Sequence, residues 1–76
     1  FNPLTTIDFT IPESNSISLN IYNLNGKLIK SILKNEYYEK GKYSINFNAD
    51  DLSSGVYVYS IKYKKYIYSK RMILIK

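Results

Sequence analysis

Apolar and polar residues alternate with period two along most of the chain, and no stretch repeats with the spacing of a helix face. Ile7, Phe9 and Ile11 alternate with Thr6, Asp8 and Thr10 until Pro12, which has no N–H to give to a strand ladder. That pattern predicts a first strand. After a polar loop over residues 13–16, Ile17, Leu19 and Ile21 alternate with Ser18, Asn20 and Tyr22 in a second strand. Asn25-Gly26 then stands between apolar runs, a hairpin signal because both residues tolerate positive φ. A two-residue loop there would set Ile21 opposite Lys30 and put an ammonium on the core face. A three-residue loop over residues 24–26, with Gly26 left-handed, sets Ile21 opposite Ile29 and Ile17 opposite Leu33, and is the expected arrangement. Strand three is then expected over residues 27–33; Ile32 fits its register poorly, which leaves room for a bulge.

Residues 34–42 are polar apart from Tyr37 and Tyr38 and read as a loop with Gly41 as its turn. Strand four follows, with Tyr43, Ile45 and Phe47 alternating with Ser44, Asn46 and Asn48. The Asn, Asp and Ser side chains of residues 48–55 suit a loop bonded to its own backbone, with Leu52 as the apolar plug that anchors it. In residues 56–63, Ser60 and Lys62 mark the outer face and leave Tyr57, Tyr59, Ile61 and Tyr63 inward. Lys64-Lys65 makes a basic turn, and the last strand, residues 66–75, ends on Met72-Ile73-Leu74-Ile75, where periodicity assigns no faces. The whole predicts an all-β fold: a small antiparallel two-sheet β-sandwich, immunoglobulin-like, of about six to seven strands. No linker, repeat or low-complexity tract divides residues 1–76, which read as a single domain.

Composition narrows the chemistry. A chain of 76 residues buries only about 60% of its unfolded surface, so its nine Tyr and three Phe are mostly needed for the core. Without Cys, His or Trp the chain has no disulfide, thiolate chemistry, Cys/His zinc site or His-based triad. No apolar run approaches the roughly 18 residues of a spanning helix, and Phe1 does not open a charged-then-apolar leader, so neither a transmembrane segment nor an export signal is expected within these residues. The net charge of +5 is uneven. Residues 1–51 carry five Lys against six carboxylates, giving −1, while residues 52–76 carry five Lys and Arg71 against none, giving +6. Such a field can steer toward nucleic acid, anionic lipid or an acidic protein surface, and lysines also keep a strand edge soluble.

Candidate active groups are few. Asp50-Asp51 is a carboxylate pair without an apolar pocket to hold one proton; it suits loop capping, and with Asn48 it lacks the spaced acidic loop of a calcium site. Gly26, Gly41 and Gly55 are isolated turn formers, and Ser53-Ser54 has no partner to activate a hydroxyl. No catalytic residue, metal site or cofactor is expected. Tyrosines interleave with lysines over residues 57–68; with Tyr57 and Tyr59 inward, Tyr66 and Tyr68 remain as a stacking platform for single-stranded nucleic acid or for sugar.

Across nearly the whole chain the residues run in a familiar order: Asn2-Pro3, Thr5-Thr6-Ile7-Asp8-Phe9, Ile11-Pro12-Glu13, Ser18-Leu19-Asn20-Ile21-Tyr22-Asn23, Gly26-Lys27, Gly41-Lys42-Tyr43, Phe47-Asn48-Ala49, Leu52-Ser53-Ser54-Gly55-Val56-Tyr57-Val58-Tyr59, and Lys70-Arg71-Met72-Ile73-Leu74-Ile75-Lys76. This order resembles the type A C-terminal sorting domain of the type IX (Por) secretion system. The resemblance implies a non-catalytic sorting signal that directs a cargo protein across the outer membrane of a Gram-negative bacterium. Its implied partners are the outer-membrane translocon, its shuttle and sortase proteins, and an N-terminal cargo domain. A sortase-like protease usually removes such a domain at the cell surface, and these residues would be an excerpt of a larger secreted protein whose own leader lies elsewhere.

Mapped onto this chain, the motif marks Gly55, Val56, Tyr57 and Tyr59 as a conformational signature and Lys70, Arg71, Met72, Ile73, Leu74, Ile75 and Lys76 as the recognition end. Deleting residues 70–76 is then expected to block export without abolishing folding. The domain is expected to be monomeric, with no specific nucleic-acid partner. Alternative readings are an immunoglobulin-like adhesion or carbohydrate-binding module and a basic single-stranded nucleic-acid-binding domain.

Overall fold

The computed structural model describes residues 4–75. They form six strands and no helix: β1 (Leu4–Ile11), β2 (Asn15–Asn23), β3 (Leu28–Tyr38), β4 (Gly41–Asn48), β5 (Gly55–Tyr63) and β6 (Tyr66–Leu74). β1 pairs with β4 in a two-stranded sheet, and the other four form an antiparallel sheet in the order β3-β2-β5-β6. The two-sheet sandwich expected from the period-two pattern is therefore the fold.

Alternation places the core between the sheets. Ile7 and Ile11 from β1 and Phe47 from β4 face Ile17, Leu19 and Ile21 from β2, Tyr57, Tyr59 and Ile61 from β5, and Leu74 from β6, all buried. Apart from the tyrosine hydroxyls, no polar or charged residue is buried among the described ones, so the core is otherwise apolar. The inward assignment in β5 holds: Tyr63 is half-buried against the core, and Leu52 packs on it from the loop, as its isolation among polar residues predicts. The faces of β6, which periodicity left open, are also resolved: Leu74 is buried and Met72 half-buried, while Ile73 and Ile75 are exposed.

The β2–β3 hairpin needs a correction. Its loop is the expected three-residue one: Asn23 and Lys27 close it through an Asn23 N–H to Lys27 O bond of 3.0 Å, with Gly26 at φ +83°. The register beyond it differs, because Ile21 lies opposite Lys30, Leu19 opposite Leu33 and Ile17 opposite Glu36. The pairing shifts between Tyr22 and Ile21, between Asn20 and Leu19, and again between Leu19 and Ile17, where residues 34–35 lie against Ser18 alone; at the first two shifts Ile29 and Ile32 become extra residues on β3. Both turn onto the core, and Lys30 stays exposed with its ammonium 5.6 Å from the centroid of the Phe47 ring. The bulge anticipated at Ile32 is present, and a second at Ile29 removes the objection to Lys30 opposite Ile21.

β3 also runs on to Tyr38, where a loop over residues 34–42 was expected. Its polar end forms a ladder because it is an outer strand with little to bury, and Tyr38 then closes one end of the sandwich. The Tyr38 ring meets Tyr43 edge-on at 4.8 Å and Phe9 at 6.0 Å, and Phe9 stacks on Tyr43 at 5.6 Å.

Candidate functional site

The signature at the start of β5 has a local physical basis. Asn48 Oδ1 accepts the Asp50 N–H at 2.9 Å and Leu52 N–H bonds Ala49 O at 3.0 Å, which turns the chain after β4. Gly55 opens β5 at φ +157° with open space around a notional side chain, so glycine answers to backbone conformation there and not to crowding. Two residues on, Tyr57 Oη donates to Ser53 O at 2.6 Å, clasping the loop to the strand it enters. The same Gly-x-Tyr clasp occurs at the start of β4, where Tyr43 Oη donates to Glu39 O at 2.5 Å two residues after Gly41. Val56 is half-buried and Tyr59 is buried in the core.

The two motif segments, eleven or more residues apart along the chain, come together as neighbouring strands. Gly55 pairs with Leu74, Val56 with Ile73, Tyr57 with Met72, Val58 with Arg71 and Tyr59 with Lys70. They form one antiparallel ribbon at the edge of the larger sheet, with β6 outermost. Its outer face carries Arg71 and Ile73 beside Val56 and Val58; Lys70, Met72 and Leu74 share the inner face with Tyr57 and Tyr59. Ile75 follows the strand, exposed, and Lys76 lies outside the described residues, as do Asn2 and Pro3. Because Leu74 is 1% exposed in the core, deleting residues 70–76 removes a core side chain as well as a surface, and cannot separate recognition from folding.

A groove of about 380 Å³ runs along the inner side of this ribbon, between β1 and β6, with Tyr59, Tyr63, Tyr66 and Tyr68 in its walls beside Asp8. Tyr66 and Tyr68 are 60% and 56% exposed, so the rings singled out as a stacking platform do stand in solvent. Burial, and then Tyr68 and Asp8, push the Tyr59 phenol above its ordinary range. Ser44 Oγ donates to Asp8 Oδ1 at 2.5 Å across β1–β4, which orients that carboxylate. At the β5–β6 turn Lys64 bridges to Glu13; the hydrogen bond and the nearby charge hold the Glu13 carboxyl below its ordinary range and, in turn, lift Lys64.

The described residues bring no three His, Cys, Asp or Glu together as metal ligands, and the Asp50–Asp51 loop has Asn48 Oδ1 already committed to the backbone. No helix among them is long and apolar enough to cross a membrane. What the fold presents is a paired, basic and partly apolar strand edge. The family model for the secretion system C-terminal sorting domain matches residues 2–76, and the chain belongs to that family. Searches of curated proteins and of solved structures each returned no match. Membership assigns a type IX sorting signal, of a generally non-catalytic family, that engages the type IX machinery and leads out of the cell toward the surface or the extracellular space.

Proposed function

We propose that the β5–β6 ribbon is the surface by which the outer-membrane translocon of a Gram-negative bacterium reads this domain as the tail of a larger cargo protein. Gly55, Val56, Tyr57 and Tyr59 set the ribbon's shape, and Lys70, Arg71, Ile73, Ile75 and Lys76 supply the readable end. Met72 and Leu74 hold that end on the core. Shuttle proteins bind the folded, monomeric domain, and a sortase-like protease removes it at the cell surface. One observation carries the reading: the two sequence segments that define the motif pair residue by residue at a sheet edge, with Arg71 and exposed Ile73 on the same outer face. Such an edge offers backbone groups to a receptor strand while its other face stays packed.

The test avoids the core. A reporter fused ahead of the domain is expressed in a cell with type IX machinery, with and without the double substitution Arg71→Glu and Ile73→Ser. Surface delivery is expected to fall at least tenfold while the reporter accumulates, folded, in the periplasm. Undiminished delivery refutes the assignment of the outer face.

A further inference from the structure

The four-stranded sheet is wider than the two-stranded sheet that covers it. β4 lies over the β2–β3 side, where Lys30 reaches Phe47 and Tyr38 meets Tyr43. β1 shares groove walls with β5 and β6. Along β5 the inner face is covered, with Tyr59 and Ile61 each 8% exposed; their register partners on β6 are Lys70 and Tyr68, and Tyr68 is 56% exposed on that same face. The cover therefore reaches β6 only at its Met72–Leu74 end and leaves the Tyr66–Lys70 half open, and the strand at its margin, β1, is paired on one side only among the described residues. A row of inward-facing β6 side chains, Tyr66, Tyr68 and Lys70, thus stands beside a free sheet edge.

The chemistry of the slot selects what fills it. Its centre is aromatic, and Tyr63 Oη, buried in its wall, meets no hydrogen-bond partner among the described residues. One end is bounded by Lys70 on the inner face and the other by Lys64 and Lys65 at the turn. Opposed to these three cations are Asp8 and Glu13, and Glu13 is already engaged by Lys64. Lys70 at one end and Lys65 at the other, the latter 5.8 Å from the centroid of the Tyr66 ring, thus remain as cations without a salt bridge among the described residues, on either side of an apolar middle. In a strand laid across this face, alternate side chains point at β6, so residues opposite Lys70, Tyr68 and Tyr66 and the lysine turn are an acid, two apolar groups and an acid.

We propose that the seam between β1 and β6 is a docking slot for an extended segment of a partner protein, apolar at its centre and acidic at both ends, which adds to β1 as a third strand of the smaller sheet. The slot is on the inner side of β6 and shares Lys70, but not the outer-face Arg71 and Ile73, with the segment assigned to export; its test needs no secretion machinery.

The probe is a blocked heptapeptide, Glu-Ser-Val-Thr-Val-Ser-Glu, titrated into the isotope-labelled chain and followed by two-dimensional amide NMR; the control replaces both terminal acids by lysine. Saturable shifts are expected at Thr6, Asp8, Thr10, Tyr66 and Tyr68, with slowed amide exchange in β1 and a dissociation constant on the order of 0.1–1 mM. The lysine-ended peptide is expected to bind about tenfold more weakly, the scale of two partly exposed charge pairs. Lys70→Glu, at an exposed position, reverses part of that preference toward the lysine-ended peptide; Lys65→Glu does the same at the other end.

Several results overturn the proposal. These are no shift at several millimolar peptide, shifts confined to β3 or to the Ile67 and Ile73 face, or equal binding of the two peptides. Concentration-dependent shifts of the same residues without peptide assign the slot to a second copy. Protection of the β1 edge already present in the free chain assigns it to the chain's own terminal residues. Either outcome rejects an acid-ended partner.

Discussion

Ile73 and Leu74 are adjacent in sequence and lie on opposite faces of β6, 55% and 1% exposed. Leu74→Ala removes buried methyl and methylene groups and leaves a cavity, a change that costs about 2–5 kcal/mol in well-packed cores. Leu74 ends an outer strand, where neighbours can close in, so the lower part of that range, about 2–3 kcal/mol, is expected. A domain of 76 residues has roughly 4–11 kcal/mol of stability in all, so this single side chain holds a large share. At about 4–8 °C per kcal/mol for a domain of this size, the melting temperature should fall by roughly 10–20 °C. Ile73→Ala removes groups already in water and should change stability by no more than about 0.5 kcal/mol. Thermal and urea unfolding followed by far-ultraviolet circular dichroism measure both, with an unchanged urea slope showing that the denatured state is not altered. Equal costs for the two variants, or a Leu74→Ala cost under about 0.5 kcal/mol, refute the assignment of faces on β6 and with it the separation of recognition from folding. In the export assay the same pair discriminates further: Leu74→Ala should lose delivery through unfolding, and substitutions at Ile73 should lose it with the fold intact.

Three further outcomes follow from local geometry. Gly26 sits at φ +83° with open space around a notional Cβ, so Gly26→Ala should destabilise by about 1–2 kcal/mol through backbone strain alone, while Gly26→Asn, which visits this region more readily, should cost less on urea unfolding. Tyr57→Phe deletes the donor that clasps Ser53 O and should cost about 0.5–1.5 kcal/mol, seen as a lower melting temperature with the β5 register kept in the amide NMR spectrum. The Glu13 carboxyl is depressed below its ordinary value of 4.5 by Lys64, so its contribution is present above that pH and is lost as pH falls through the folded value. Lys64→Ala should therefore flatten stability against pH on the acid side. Because both groups are exposed, molar salt should mask the difference between variant and parent.

Much of the architecture was legible locally because a half-buried strand must alternate, and residues such as Ile7, Phe9 and Ile11 can reach a core together only from one face. Two regions resisted. Residues 34–38 carry no alternating apolar pattern because an outer strand with solvent around it needs none, and the one signal for extending β3 through them is the aromatic Tyr38 at its end. The β2–β3 register was misjudged because bulges at Ile29 and Ile32 change which side chains face inward, and a bulge depends on what the other sheet leaves room for. Of the candidate site, Gly55, Tyr57 and the basic entry to the last strand could be marked in the chain. That they lie side by side could not be read there.

Composition and periodicity by themselves determined an all-strand sandwich without cysteine or histidine chemistry, and residue order determined membership in a sorting-domain family. These follow from local rules: the pleat imposes period two, and absent residue types cannot react. Only the tertiary structure decided that β6 is outermost, that Leu74 points into the core and Ile73 out of it, and that Tyr66 and Tyr68 stand uncovered beside β1. Four consecutive apolar residues, Met72 to Ile75, carry no facing information of their own. Their sides are set by pairing with β5 and by where a two-stranded sheet runs out over a four-stranded one.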